Sequence, residues 1–186
     1  MKKLSLIMMS VIAFSAFSPS FSQNQIFIYF NGGTVTPRAE STVTGHTGET
    51  EILSVSNAFS KTFSYSSGQL VADAAKTTFT DIKFTKMPGR ASGDLLLNFL
   101  RGYKINTVEI RYYTVVNLKP VIYLKIRLDN VYVSEFEENG KKNELPTDSI
   151  SLFYERITYE NYAPDAAGVY QLVSTTGWNR ATNSPL

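Results

Sequence analysis

Apolar and polar residues alternate over most of this chain, and the period of two predicts a mainly β protein. Residues 25–30 are apolar on both faces and stop at Asn31-Gly32-Gly33. In 51–64, Ile52, Leu53, Val55, Phe59 and Phe63 are spaced by Ser and Asn. In 77–86, Ile82 and Phe84 oppose Asp81, Lys83 and Thr85; in 106–116, Val108, Ile110 and Tyr112 oppose Glu109, Arg111 and Tyr113. The strongest strand is 120–136, with Ile122, Leu124, Ile126 and Leu128 on one face and Tyr123, Lys125 and Arg127 on the other. At Asp129-Asn130 the phase slips, and Val131 and Val133 continue it on odd numbers. A slip of one residue exchanges the faces, so a bulge or sharp bend is expected there. Residues 149–162 are again apolar on both faces, and 169–179, carrying Trp178, form the last strand. Loops are expected at 34–50, 66–76, 137–146 (around an Asn139-Gly140 turn) and 163–168.

One stretch breaks the period. RASGDLLLNFLRG, 90–102, reads as a helix capped by Ser92, with Asp94 in its first turn, Arg101 near its end and Gly102 to stop it. A helix this short is marginal alone, so it needs a sheet to lie on. Leu95, Leu96 and Phe99 are expected to face that sheet, and Leu96→Asp to unfold the protein by burying an unpaired charge. The fold class expected is mainly β: six to eight antiparallel strands forming a two-sheet barrel or sandwich, with the helix packed at one side.

The first residues change the charge argument. Lys2 and Lys3 precede an apolar run, 4–17, too short to span a bilayer comfortably, and Ser20-Phe21-Ser22 offers a cleavage site. Residues 1–22 therefore read as a signal peptide, 23–180 as one domain and 181–186 as a flexible tail. The competing reading is an uncleaved anchor. Without Lys2 and Lys3, 16 basic residues face 16 acidic ones. Nothing in that balance favours nucleic acid or an anionic membrane. The chain has no cysteine, which removes disulfides and thiolate metal sites.

Candidate chemistry is sparse. His46 is the only histidine and lies near Glu49 and Glu51. It lacks the further ligands or bases that a metal site or a nucleophile triad needs. Glu135, Glu137 and Glu138 could be paired carboxylates for glycoside hydrolysis, but they precede Asn139-Gly140 and read better as a solvated hairpin tip. Tyr112 with Tyr113, or Tyr159 with Tyr162, could line a binding surface. No catalytic residue, cofactor site or metal site is assigned, and the oligomer interface is left unknown.

The order of motifs resembles the haemolysin-coregulated protein (Hcp) family of type VI secretion. The resemblance rests on Phe84-Thr85-Lys86 before the helix, then Val131, Val133 and Ser134, then Pro146, Thr147, Asp148, Ser149, Ile150, Ser151, Leu152 and Tyr154. It continues with Tyr162, Pro164 and Gly177-Trp178-Asn179, and upstream with His46, Glu51, Ile52 and Val55. It implies an Hcp-like barrel and a homohexameric ring that stacks into a tube. It also implies a structural subunit rather than an enzyme, secreted, with effectors or the secretion spike as partners. The signal peptide departs from the family pattern, because it implies export to the periplasm or beyond. So do the loops at 34–50 and 66–76, where ring-to-ring contacts would be expected. Two rival readings remain. One is an exported monomeric binding module reusing the barrel. The other is an envelope hydrolase, for which His46 is the sole candidate.

Overall fold

The computed structural model describes residues 24–186, with the backbone alone at 70–76; the expected signal peptide lies outside the described residues. The elements in chain order are β1 (Gln25–Gly33), β2 (Thr50–Glu51), β3 (Ser54–Ser56), β4 (Phe59–Ser66), β5 (Gln69–Phe79), β6 (Ile82–Lys86), α1 (Arg90–Arg101), β7 (Ile105–Val116), β8 (Lys119–Asn139), β9 (Thr147–Pro164), β10 (Tyr170–Asn179) and β11 (Ser184–Pro185). All pairings are antiparallel.

The main sheet runs β11-β10-β9-β8-β7-β1-β2, with β6 on a second edge of β9 and β3 on β6. The barrel is completed by a bend, not by a continuous strand. Ile52 N–H donates to Ile26 O at 3.0 Å and the next residue, Leu53, to Thr85 O at 2.7 Å. The chain thus changes partner from β1 to β6 between two residues, and the single strand expected over 51–64 is three short ones.

β8 and β9 serve both halves of the barrel, and the predicted phase slip shows how. Leu128 opposite Ile157 and Val131 opposite Tyr154 are all buried, a spacing of three in both strands. Asn130, between them, has φ 53°, and its Nδ2 donates to Glu155 Oε2. Both strands exchange faces at the same place, so the register survives and one ribbon feeds two walls. The core follows from this: Ile28, Phe84, Leu95, Ile110, Leu128, Ile150 and Leu152 are fully buried in one cluster.

The helix has the expected limits but a different N-cap and buried face. Gly89 is the N-cap, and Ser92, two residues into the helix, accepts from its N–H at 2.8 Å. Gly102 ends the helix at φ 61°, with Tyr103 N–H donating to Asn98 O. Asp94 lies beyond the first turn. The buried stripe is Ala91, Leu95 and Asn98; Leu96 is half-buried and Phe99 exposed. The arc is turned toward Asn98 because that side chain donates to Val35 O at 3.0 Å. The decisive apolar position is therefore Leu95, not Leu96.

Two segments read as loops are ordered differently. Residues 66–76 are not a loop: β4 and β5 form a hairpin across Ser67 (φ 53°) and Gly68 (φ 80°), a type I′ turn whose twist suits hairpins. The Asn139-Gly140 turn is displaced, since Asn139 still pairs with Thr147 and the left-handed residue is Asn143. The tail returns onto β10, with Pro185 opposite Trp178 and Leu186 N–H donating to Gly177 O.

Leu95→Ala should cost about 2–5 kcal/mol by opening a cavity. Leu100→Ala, with Leu100 69 % exposed, should stay within about 0.5 kcal/mol. Urea unfolding of the two variants checks the helix placement; equal losses would disprove it.

Candidate assembly surface

Polar chemistry inside the protein is organised around Lys86. It ends β6 and is fully buried. Its ammonium donates to Met87 O at 2.7 Å and Ser92 Oγ at 2.9 Å. Glu40 Oε2 lies 3.2 Å away and Asp148 Oδ2 3.4 Å. Ser92 in turn donates to Asp148, and Glu40 Oε1 accepts from the helix N-terminal Ala91 N–H at 2.6 Å. A Cβ on Gly89 would meet that carboxylate, so a larger residue there would push the end of the Glu40 side chain off the helix N-terminus. The trio of Lys, Ser and Asp resembles a nucleophile set by composition alone. Lys86 and Asp148 are enclosed by protein and serve to join four segments.

His46 belongs to a second buried cluster. It stacks on Phe27 at 3.9 Å and meets Tyr113 edge-on at 4.5 Å. Its Nδ1 lies 2.7 Å from Glu49 Oε2, and Arg111 and Tyr113 OH donate to the other Glu49 oxygen. His46 thus fastens the segment 34–49 as a strap across the outer face of β1. Arg38 forks onto Asp94 from the same strap. Burial pushes the Asp94 carboxyl up, but the hydrogen bonds from the Arg38 side chain and backbone outweigh it and hold it below its ordinary value. Among the described residues, no group of three or more metal-ligating side chains occurs.

The other candidates are not brought together. Glu135 and Glu137 share Lys83, at 3.3 and 3.2 Å, instead of flanking a cleft. Tyr112 packs against the core, where burial pushes its hydroxyl up to about 12, while Tyr113 faces the strap. Tyr159 OH accepts from Asn57 and Tyr162 donates to Glu160.

What remains unpartnered is surface. All eight residues of β4 are exposed, Phe63 by 57 % and Tyr65 by 77 %. A two-stranded hairpin alone is marginal in water. At its base Phe59, Phe79, Ile157, Tyr159 and Trp178 line a groove of 280 Å³. The adjacent strand β10 pairs with β9 on one side, and on the other, among the described residues, only Trp178 and Asn179 meet β11. Its remaining edge carries exposed Leu172 and Val173 and no charge, and an unguarded edge of this kind is a template for another chain. The sequence holds one signal for the arm, Ser67-Gly68 between strand-forming runs. The bare edge of β10 carries no sequence signal, because it depends on which strands pair.

Residues 29–161 match the family described as "Type VI secretion system effector, Hcp". The chain belongs to the Hcp family. Solved structures agree in fold. A type six secretion system protein matches with TM-score 0.77 at 20 % identity, over 88 % of this chain and 100 % of its own. Hcp1 from Salmonella typhimurium gives 0.69 at 19 % identity, over 89 % and 100 %. A type VI secretion system effector from Yersinia pestis gives 0.59 at 20 %, over 83 % and 98 %. No curated protein matches the sequence. In this Hcp-family chain the fold carries both the Lys86 cluster and the exposed arm.

Lys86→Met should destabilise by about 3–5 kcal/mol, because Asp148 is left as an unpaired buried charge, and Lys86→Met with Asp148→Leu should recover most of the loss. Denaturant midpoints of the single and double variants decide it. The Arg38–Asp94 pair makes a pH prediction. A carboxylate lowered on folding contributes stability above its unfolded pKa of about 4 and loses it as the pH falls through the folded value. Asp94→Asn should be less stable than the parent at neutral pH and equal to it in acid; a difference independent of pH would disprove the pairing.

Proposed function

We propose that this Hcp-family protein is a structural ring subunit. Six copies close into a ring, and rings stack into a hollow tube whose lumen carries effectors and whose end meets the secretion spike. The role is structural, not catalytic. The protein is exported and acts in the periplasm or outside the cell, which is what residues 1–22 suggest when read as a signal peptide.

The observation that carries this reading is the pair of unlike, unpartnered surfaces on one subunit: the bare β4–β5 arm and the unguarded edge of β10. Two different patches that complement each other generate a head-to-tail contact, and such contacts close into rings when the rotation allows it. The strap and the Lys86 cluster keep the barrel rigid behind them. A second reading, a monomeric module that binds a ligand outside the cell, is favoured by the aromatic groove at the base of the arm.

The mature protein, from residue 23, should sediment as a hexamer and show rings in electron micrographs. Val173→Lys, which guards the β10 edge with a charge, should keep the melting temperature and abolish the rings. A strict monomer at high concentration, with saturable ligand binding, would overturn the ring in favour of the second reading.

A further inference from the structure

The base of the arm is gripped by a residue about a hundred positions away in sequence. Arg180 follows β10, and its backbone N–H donates to Glu155 O at 2.8 Å. Nη1 donates to Tyr154 O at 3.2 Å and lies 3.5 Å from Asp81 Oδ1. Nη2 donates to Phe79 O at 3.3 Å. The guanidinium also lies over the rings of Phe153 at 4.5 Å, Tyr154 at 4.6 Å and Phe79 at 5.7 Å. Phe79 is the last residue of the arm and Tyr154 a core residue of β9. One planar cation therefore holds the main chain of the arm and the main chain of the barrel in a single fork.

The neighbouring bonds divide the work. Ala58 N–H donates to Thr80 Oγ1 at 2.7 Å and Thr80 N–H to Ala58 O at 3.1 Å. Those bonds close the hairpin on itself and leave its angle to the barrel open. Tyr154 OH to Thr80 O, at 3.3 Å, is a single rotatable contact. Arg180 differs because its donors and its plane are fixed relative to one another, and a lysine would offer only a point charge. The residues after it are tied down as well. Ala181 and Thr182 N–H donate to Asn179 Oδ1, and Pro185 pairs with Trp178.

We propose that Arg180 is the positioning residue of the arm: it sets the angle at which the β4–β5 hairpin leaves the barrel, and loss of residues 180–186 would turn a rigid assembly arm into a swinging one. The inference rests on the reading of the hairpin as an assembly surface, but its test does not. It also makes the C-terminal segment a control point for assembly.

The chain has no cysteine and a single tryptophan, and that tryptophan stacks on Phe79 at 6.5 Å. Spin labels on Tyr65→Cys and Glu138→Cys, with labelled protein diluted into unlabelled protein, read the arm-to-barrel distance within one subunit. The parent should give one narrow distance. Arg180→Lys and Arg180→Ala should broaden it and shift Trp178 emission to the red, while the far-ultraviolet circular dichroism of the barrel is kept. A narrow distance in Arg180→Lys, even with a lowered melting temperature, would show a merely structural role and overturn the proposal. Should Arg180→Ala fail to fold, Arg180→Lys alone decides. Absence of rings in a parent whose arm distance responds to Arg180 would remove the ring and leave this inference standing. Rings with an arm indifferent to Arg180 would do the reverse.

Discussion

The buried ammonium of Lys86 is the constraint that organises this subunit. Removing one such ion from water costs several kcal/mol even after relaxation, and only well-placed partners offset that cost. The partners come from separate places: Met87 beside it, Ser92 on the helix, Asp148 on β9 and Glu40 on the strap. None of the four segments can leave without stranding the charge. Lys86 and Asp148 are also directly opposed across β6 and β9. A slip of one residue would separate them and turn every apolar side chain of β6 outward. The cluster thus specifies register and helix placement together, which is a better account of it than added stability.

The strap is the second consequence. Its backbone has no regular structure, yet Arg38, Glu40, His46 and Glu49 each enter a defined polar partner set. It is needed because β1 is apolar on both faces. Ile28 and Phe30 enter the core, while Phe27 points the other way and is fully buried under the His46 ring. The histidine that sequence alone offers as a catalytic candidate is a flat lid for a phenylalanine, oriented by a carboxylate. The unexplained second apolar face of 25–30 and the isolated histidine are one feature.

Much of the fold was legible because its signals are local. Alternation located β6 to β10, the odd spacing at Asp129-Asn130 located the change of face, and Gly102 located the helix end. The helix face was not legible: Leu95, Leu96 and Phe99 satisfy a helical period as well as Ala91, Leu95 and Asn98 do. What decides between them is the Val35 carbonyl, 63 residues away. The second strand of the arm was missed because residues 66–76 are rich in small residues, Ala72, Ala74 and Ala75 among them, and only the Ser67-Gly68 pair marks the turn. The bare edge of β10 could not be read at all. Leu172 and Val173 look like core residues in an alternating strand, and their exposure reflects that, among the described residues, no strand lies beside this part of the outer edge of β10.

Hcp1 from Salmonella typhimurium and a type six secretion system protein share this fold at about one-fifth identity, which fits a chain whose constraints are few and geometric. A barrel needs its alternation, one change of face and a docked helix, and many sequences supply these. The arm stands outside that requirement. Among the described residues it contributes none to the core cluster, and its attachment is made of backbone carbonyls, ring faces and one guanidinium. The core and the arm are therefore built from different parts of the molecule. The barrel can tolerate wide substitution while the arm changes its surface or its angle, with Arg180 at the joint between the two.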